Sequence, residues 1–190
     1  AYYGDAPLTG DSASRAAVMS RMAGADVIHL ALHSALDEEV PLRSKLLLAA
    51  SPRESSAAPR AAATSADPPA ESALYAYDVY NLKLPQARLV VLSACQTGAE
   101  RYYGGEGMSS LARPFIAAGV PLVVATLWPV DSDATAELMI RFHGYRARGK
   151  LPTAAALARA QTDLIRGPEE RLRHPYYWAA FTLVGGHAEF

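Results

Sequence analysis

Two side chains capable of covalent catalysis stand at the ends of two apolar runs. His33 ends the run VIHLALH, and Cys95, the only cysteine in the chain, ends the run LVVLSAC. A thiolate is a strong nucleophile, and a nearby imidazole can both keep the thiol ionised and protonate a leaving group near neutral pH. The pair is therefore chemically sufficient for nucleophilic catalysis.

A lone cysteine in an apolar strand is more often a small core residue, and composition alone favours that reading. The surrounding glycines favour a site instead. Gly98 and the run GGEG at 104–107 follow Cys95 closely, as expected where the backbone approaches a substrate or supplies an oxyanion-binding N–H. The run lacks the spacing of either glycine-rich phosphate loop, so we reject a nucleotide site.

Other polar side chains have weaker claims to a role. His29 shares a strand face with His33, and we interpret it as a supporting or packing histidine. Glu106 could order the loop over Cys95 through its carboxylate, or simply be a solvated loop charge. The remaining histidines lack metal-ligand spacing with any cysteine or carboxylate cluster, so the sequence predicts no metal site and no cofactor.

The elements that would position these residues alternate between strands and helices. Strands are predicted over 26–34, 87–94, 121–128 and 179–184, and a hairpin pairs KLLLA at 45–49 with LYAYDVY at 74–80. Helices are predicted over 11–23, with Asp11 and Ser12 as caps, over 107–119, from Asp131 to Tyr145, and from a capping Thr153 to Ile165. This order is typical of an α/β sandwich with a mostly parallel sheet, whose catalytic groups gather at the carboxyl ends of strands.

Composition limits the classes of partner. The chain has 190 residues, 51% of them apolar, so we expect one domain over 1–190. Its 18 basic and 19 acidic residues nearly balance, so we expect no basic surface that would bind nucleic acid. No apolar stretch approaches the roughly 20 residues of a membrane span, and a single cysteine forms no internal disulfide, so we expect a cytoplasmic protein. Residues 50–72 are rich in Ala, Pro and Ser and predict a disordered insertion.

Five stretches give the chain a family resemblance. They are HLALHS, LVVLSACQTG, GGEGMSSLARPFIAAGVPLVVATLWPVDSDAT, LARAQ and HPYYWAAFTLVGG. Together they resemble the CHAT domain, a caspase-like cysteine peptidase family related to separase. The resemblance implies a caspase-like three-layer sandwich, with Cys95 as nucleophile and His33 as its acid/base partner. It also implies a protein substrate, a first strand that precedes this chain, and an upstream helical-repeat region of the tetratricopeptide kind.

The chain departs from the family at one position beside the candidate site. The family has His-Gly where this chain has His33-Ser34, and that glycine lends its N–H to the oxyanion hole. Serine keeps the N–H but restricts the backbone torsions. Two readings follow: an endopeptidase that works through an acyl-enzyme, with Ser34 and Gly98 as backbone donors, or a weakened CHAT module that serves as a protein-interaction scaffold. A small-molecule acyl transferase is a third, less supported reading.

Substrate preference is predicted from the two aspartates after the strand PLVVATLW. Asp131 and Asp133 stand where separases place acidic residues that read a basic side chain. Both are also placed to cap the helix that begins there, and we favour that reading. We therefore expect no strict preference for Arg or Lys.

Overall fold

The computed structural model describes residues 2–37, 39–50, 72–93, 95–96 and 109–186, with the backbone alone for 95–96 and 109–110. The strands are β1 (Val27–Leu30), β2 (His33–Ala35), β3 (Lys45–Leu47), β4 (Ala73–Tyr75), β5 (Leu89–Leu92), β6 (Cys95–Gln96), β7 (Leu122–Thr126) and β8 (Phe181–Gly185). The α-helices are α1 (Arg15–Met22), α2 (Ala76–Tyr80), α3 (Ser109–Ala117), α4 (Ser132–Ala147), α5 (Thr153–Arg166) and α6 (Pro175–Trp178). Short 3-10 turns cover Gly10–Ser12, Pro41–Arg43 and Glu170–Arg173.

The strands form two four-stranded sheets. The first has the order β1-β5-β7-β8, in which the first three strands are parallel and β8 runs antiparallel to β7. The second has the order β4-β3-β2-β6, with β2 and β6 parallel. The predicted α/β architecture with a mostly parallel sheet is confirmed.

The strand predicted over 26–34 is divided between the two sheets. β1 ends at Leu30 and β2 begins at His33. The adjacent parallel run divides in the same way, into β5 and β6. The register does not slip across the break, because Leu30 pairs with Leu92 before it and His33 pairs with Cys95 after it. The two parallel runs thus pass together, in unbroken register, from the first sheet into the second.

Helices cover both faces of the first sheet. On one face, Val90 and Leu92 of β5 pack with residues of α1, α2 and α3. On the other face, Leu89 and Val91 pack with α4 and α5, including the fully buried Phe142. A strand buried on both faces reads as a continuous apolar run, which is why 89–92 was recognisable from sequence.

Three local predictions are wrong in their details. LYAYDVY does not form a strand to residue 80; β4 ends at Tyr75, whose N–H donates to the Asp78 carboxylate, and this bond begins α2. The cap of α1 is Ser14, so neither Asp11 nor Ser12 caps it. Thr153 is the first residue of α5 and does not cap it.

The Ala/Pro/Ser-rich insertion lies almost wholly outside the described residues. Its flanks are well placed, because β3 and β4 form the predicted antiparallel pair with Leu47 opposite Ala73. Ser72, at the end of the predicted insertion, belongs to the hairpin, since its carbonyl accepts the Leu48 N–H. Within the described part of the chain, no helix combines the length and the apolar character that crossing a bilayer requires.

Candidate functional site

The structure places the backbones of the two candidate catalytic residues side by side. His33 of β2 and Cys95 of β6 are register partners in a parallel pair. Neighbouring strands lie about 4.8 Å apart, so the Cα atoms of the two residues have roughly that separation. His33 follows the carboxyl end of β1 and Cys95 follows the carboxyl end of its neighbour β5, so the two strand ends meet in the backbone.

The side chain of His33 is exposed and lines a groove of about 590 Å³. One wall of this groove, called here the α4 groove, is a single face of α4, formed by Ser132, Thr135, Ala136, Met139, Ile140 and His143. The facing wall is formed at the break between the sheets by His29, Ala31, Leu32, His33, Leu47 and Ser93. Tyr2 closes one end. The groove therefore runs directly to the candidate acid/base residue.

A row of hydrogen-bonded side chains crosses the bottom of the α4 groove. Nε2 of His29 lies 2.5 Å from Oγ of Ser93, and Nδ1 of His29 lies 3.1 Å from Nε2 of His143. On its other side, Nδ1 of His143 lies 2.9 Å from the Tyr3 hydroxyl, which accepts a bond of 3.0 Å from Arg146. The guanidinium of Arg146 is buried, and its Nε also donates to Oγ1 of Thr153. The Thr153 hydroxyl at the start of α5 thus bonds to Arg146 of α4.

The pKa values of His29 and His143 both lie below the ordinary histidine value. Desolvation lowers the pKa of His29 from 6.5 to about 4, although its ring stays accessible from the α4 groove. His143 is only 6% exposed, and its pKa falls to about 3 because of desolvation, aided by His29 and by the positive charge of Arg146. At neutral pH the bottom of the groove therefore carries no charge.

The two aspartates proposed to read a basic side chain do not line the α4 groove. Asp131 caps α4 by accepting the N–H of Ala134 at 2.9 Å, and it also lies 3.4 Å from the guanidinium of Arg171. The N–H of Ala134 and the charge of Arg171 lower the pKa of Asp131. Asp133 is exposed in the first turn of α4. The capping interpretation is thus the one that the contacts of Asp131 support.

The remaining candidates divide between buried and undescribed positions. Ser34 is 1% exposed, and its Oγ has no hydrogen-bond partner. Its φ is not in the left-handed region, because Lys150 is the only described residue other than glycine with a positive φ. Gly98 and Glu106 lie outside the described residues. Among the described residues, no cluster of His, Cys, Asp and Glu has the arrangement to hold a metal ion.

Sequence reasoning found His29 but not its partners. His29 and His143 are 114 residues apart, and Tyr3 is 140 residues from His143, so no local spacing links them. One available signal was helical periodicity, since His143 lies on the same face of α4 as Ala136 and Met139. That signal identifies a face but not the residue that it meets.

Comparison with known proteins gives a family and two relatives. The family model described as the CHAT domain matches residues 3–186. Tetratricopeptide repeat protein 28 of Mus musculus is 33% identical over 196 aligned positions, and that of Homo sapiens is 32% identical. Each alignment covers 94% of this chain but only 8% of the relative, so the chain spans less than a tenth of the length of these relatives.

Proposed function

Because the chain belongs to the CHAT domain family, we propose that it is a caspase-like cysteine endopeptidase domain that cleaves a protein substrate. The observation that carries the proposal is the register of β2 and β6, which makes His33 and Cys95 direct neighbours across two parallel strands. The α4 groove, which His33 lines, supplies room for a substrate segment. The sheet with helices on both faces agrees with the caspase-like sandwich that we infer.

The proposed reaction has two steps and needs no cofactor. The Cys95 thiolate attacks the scissile carbonyl carbon, and the tetrahedral intermediate collapses as His33 gives a proton to the leaving amine. His33 then takes a proton from water, whose oxygen displaces Cys95 from the thioester and releases the acid product. Backbone N–H groups, for which Ser34 and Gly98 are the candidates, would stabilise the oxyanion in both steps.

The proposal is tested by single and double substitution in the full-length protein. Cys95→Ala and His33→Ala should each abolish nearly all cleavage, and the double variant should lose hardly more, because two groups acting as a unit are not additive. Circular dichroism and thermal melts must show that the variants remain folded. Substantial cleavage by either folded single variant would contradict the assignment.

A measurement without a substrate tests the same pair. Since Cys95 is the only cysteine, its alkylation by iodoacetamide can be followed by mass spectrometry without interference. A thiol beside an imidazolium reacts at lower pH than an ordinary thiol, and His33→Ala should shift that pH profile upward. Coincident profiles, with reaction only under denaturing conditions, would identify Cys95 as a core residue.

One observation favours the second candidate, a CHAT module that binds a protein without cutting it. Ser34 is paired on both sides, with Leu46 of β3 and with Gln96 of β6. A strand N–H lies in the plane of the sheet and points at a neighbouring strand, a position that suits the sheet ladder better than an oxyanion hole. A Ser34→Gly variant decides between the two: a large gain in cleavage would show that serine weakens the site.

The setting of the domain is also a proposal. The two relatives are tetratricopeptide repeat proteins by name, which supports an upstream helical-repeat region in the full-length protein. A reducing compartment protects a free thiol nucleophile from oxidation, so the setting that we propose for the reaction is the cytoplasm. Size-exclusion chromatography and partner capture with the full-length protein, with and without its upstream region, would test whether that region recruits the substrate.

A further inference from the structure

We infer that the α4 groove binds an uncharged, mainly apolar side chain of the substrate beside the reaction centre. The inference rests on the proposed peptidase function and names the class of residue that it would recognise. It follows from three properties of the groove: the types of residue that line it, the row of hydrogen-bonded side chains at its bottom, and the placement of the nearest charges.

The lining is apolar in most of its surface and has no permanent charge. None of the described residues that line the groove is Asp, Glu, Lys or Arg. Ala136, Met139 and Ile140 form the helical wall, and Ile140 is 59% exposed there with no described side chain covering it. An ionised substrate side chain against this helical wall would lose water without gaining a counter-charge there, and that desolvation is costly.

The assignment of donors and acceptors explains why His29 and His143 do not supply a charge. Arg146 has only donors, so the Tyr3 oxygen accepts from it and the Tyr3 hydrogen is left for Nδ1 of His143. His143 then carries its hydrogen on Nε2 and donates to Nδ1 of His29, which in turn donates from Nε2 to Ser93. Each imidazole therefore holds one N–H hydrogen. Protonation of Nδ1 of His29 would make it a second donor facing the N–H at Nε2 of His143.

Charged side chains on and before α4 are engaged with groups outside the lining, and the Arg148 guanidinium lies over the Tyr2 ring, 5.1 Å from its centroid. Asp131 is occupied by the N-terminus of α4 and by Arg171. Arg141 pairs with Glu137 one turn away on α4, at 2.6 Å. Arg146 lies behind His143, bonded to Tyr3 and Thr153. A charged substrate side chain therefore meets no permanently charged partner among the described residues that line the groove.

One polar feature fits a peptide. Thr135 lines the groove, is 9% exposed, and its Oγ1 has no hydrogen-bond partner. A buried hydroxyl without a partner is unfavourable, and a peptide brings backbone N–H and C=O groups together with its side chain. The groove thus offers an apolar wall for a side chain and a hydroxyl that a main-chain group could pair with after a small rotation.

The experiment uses the full-length protein and four peptidyl chloromethyl ketones that differ only in the residue beside the reactive group: Leu, Met, Arg or Asp. The rate of covalent labelling at Cys95 is measured by mass spectrometry. We expect the Leu and Met probes to react at least tenfold faster than the Arg and Asp probes. Equal rates, or a preference for Arg or Asp, would overturn the inference and leave the peptidase proposal standing.

Two matched variants locate the preference in the groove. Ala136→Asp adds a carboxylate to the helical wall at an exposed position, and it should raise the rate with the Arg probe relative to the Leu probe at least tenfold. Asp133→Asn removes a charge from the same helix outside the lining and should leave the ratio unchanged. A ratio that Ala136→Asp does not move shows that the side chain binds elsewhere.

A binding measurement separates this inference from the peptidase proposal. Fluorescence anisotropy of the same peptides as labelled amides, with the Cys95→Ala protein, needs no chemistry. Failure of every probe to label Cys95 would refute the peptidase, whereas tenfold tighter binding of the Leu peptide than of the Arg peptide would still support the groove assignment. Equal affinity of all four peptides would refute the groove assignment.

Discussion

Acid should destabilise this protein through His143, and the size of the effect follows from its burial. The imidazole is 6% exposed and bonded at both nitrogens, and its pKa falls from 6.5 to about 3. A histidine whose pKa is depressed in the folded state binds protons more readily when the chain unfolds. Its contribution to stability is therefore complete above about pH 7 and is lost progressively as the pH falls towards 3.

The loss of unfolding free energy between pH 7 and pH 5 depends little on the pKa of His143 in the folded state. Over that interval folded His143 stays neutral while the unfolded histidine becomes almost fully protonated. One pKa unit corresponds to about 1.36 kcal/mol, so His143 alone should remove about 2 kcal/mol from the free energy of unfolding. His29 acts in the same direction, with a smaller effect because its ring is accessible from the α4 groove.

The assay is urea unfolding at pH 7 and pH 5, followed by circular dichroism. His143→Gln keeps an N–H near the position of Nε2 but does not titrate, so the drop in stability between the two pH values should shrink by about 2 kcal/mol. His174→Asn is the control, because His174 is exposed and its ring accepts the Tyr176 N–H, a bond that asparagine can replace. An unchanged pH dependence in His143→Gln would refute the reasoning.

Four further predictions concern folding and latency. Replacing residues 51–71 by a short Gly/Ser loop should keep unfolding cooperative, because loop length affects closure entropy only slowly; a non-cooperative melt would contradict this. Gly185→Ala should cost about 2–4 kcal/mol in chemical unfolding, because φ is +114° and a Cβ would lie 2.4 Å from the Pro121 carbonyl oxygen. Gly186→Ala, with no atom within 4 Å of an added Cβ, should differ little from wild type in the same assay. Asp131→Ala should cost about 1 kcal/mol through the lost cap, and a loss several times larger would show a second role. A protein of these 190 residues alone should turn over peptides poorly, since β1 is an unpaired edge among the described strands and β2, which carries His33, follows it directly; rapid turnover would contradict that.

The sequence determined the architecture and the two candidate catalytic positions because both depend on signals that are local in the chain. A run such as 89–92, apolar at every position, predicts a strand buried on both faces, and the strands and helices alternate visibly along the chain. Since parallel strands end at the same edge of a sheet, the sequence alone predicts that His33 and Cys95 lie close together. The register of β2 and β6 fulfils that expectation in the backbone.

Where local signals were ambiguous, only tertiary structure decided. The run LYAYDVY is short and apolar, which fits a strand or a helix equally well, and the bond from the Tyr75 N–H to Asp78 selects a helix for its second half. The division of one apolar run into β1 and β2 likewise arises from two parallel runs that pass together from the first sheet into the second, which no single strand reveals.

The chain of bonds from Tyr3 through His143 and His29 to Ser93 was beyond sequence reasoning for the same reason. Its members come from the N-terminal segment, from α4, from β1 and from the end of β5, and they meet only because α4 packs on one face of the sheet. Helical periodicity can say which residues share a face of α4, but the partner of that face is chosen by packing. The charge state of the groove, which depends on those contacts and on burial, is therefore a property of the tertiary structure alone.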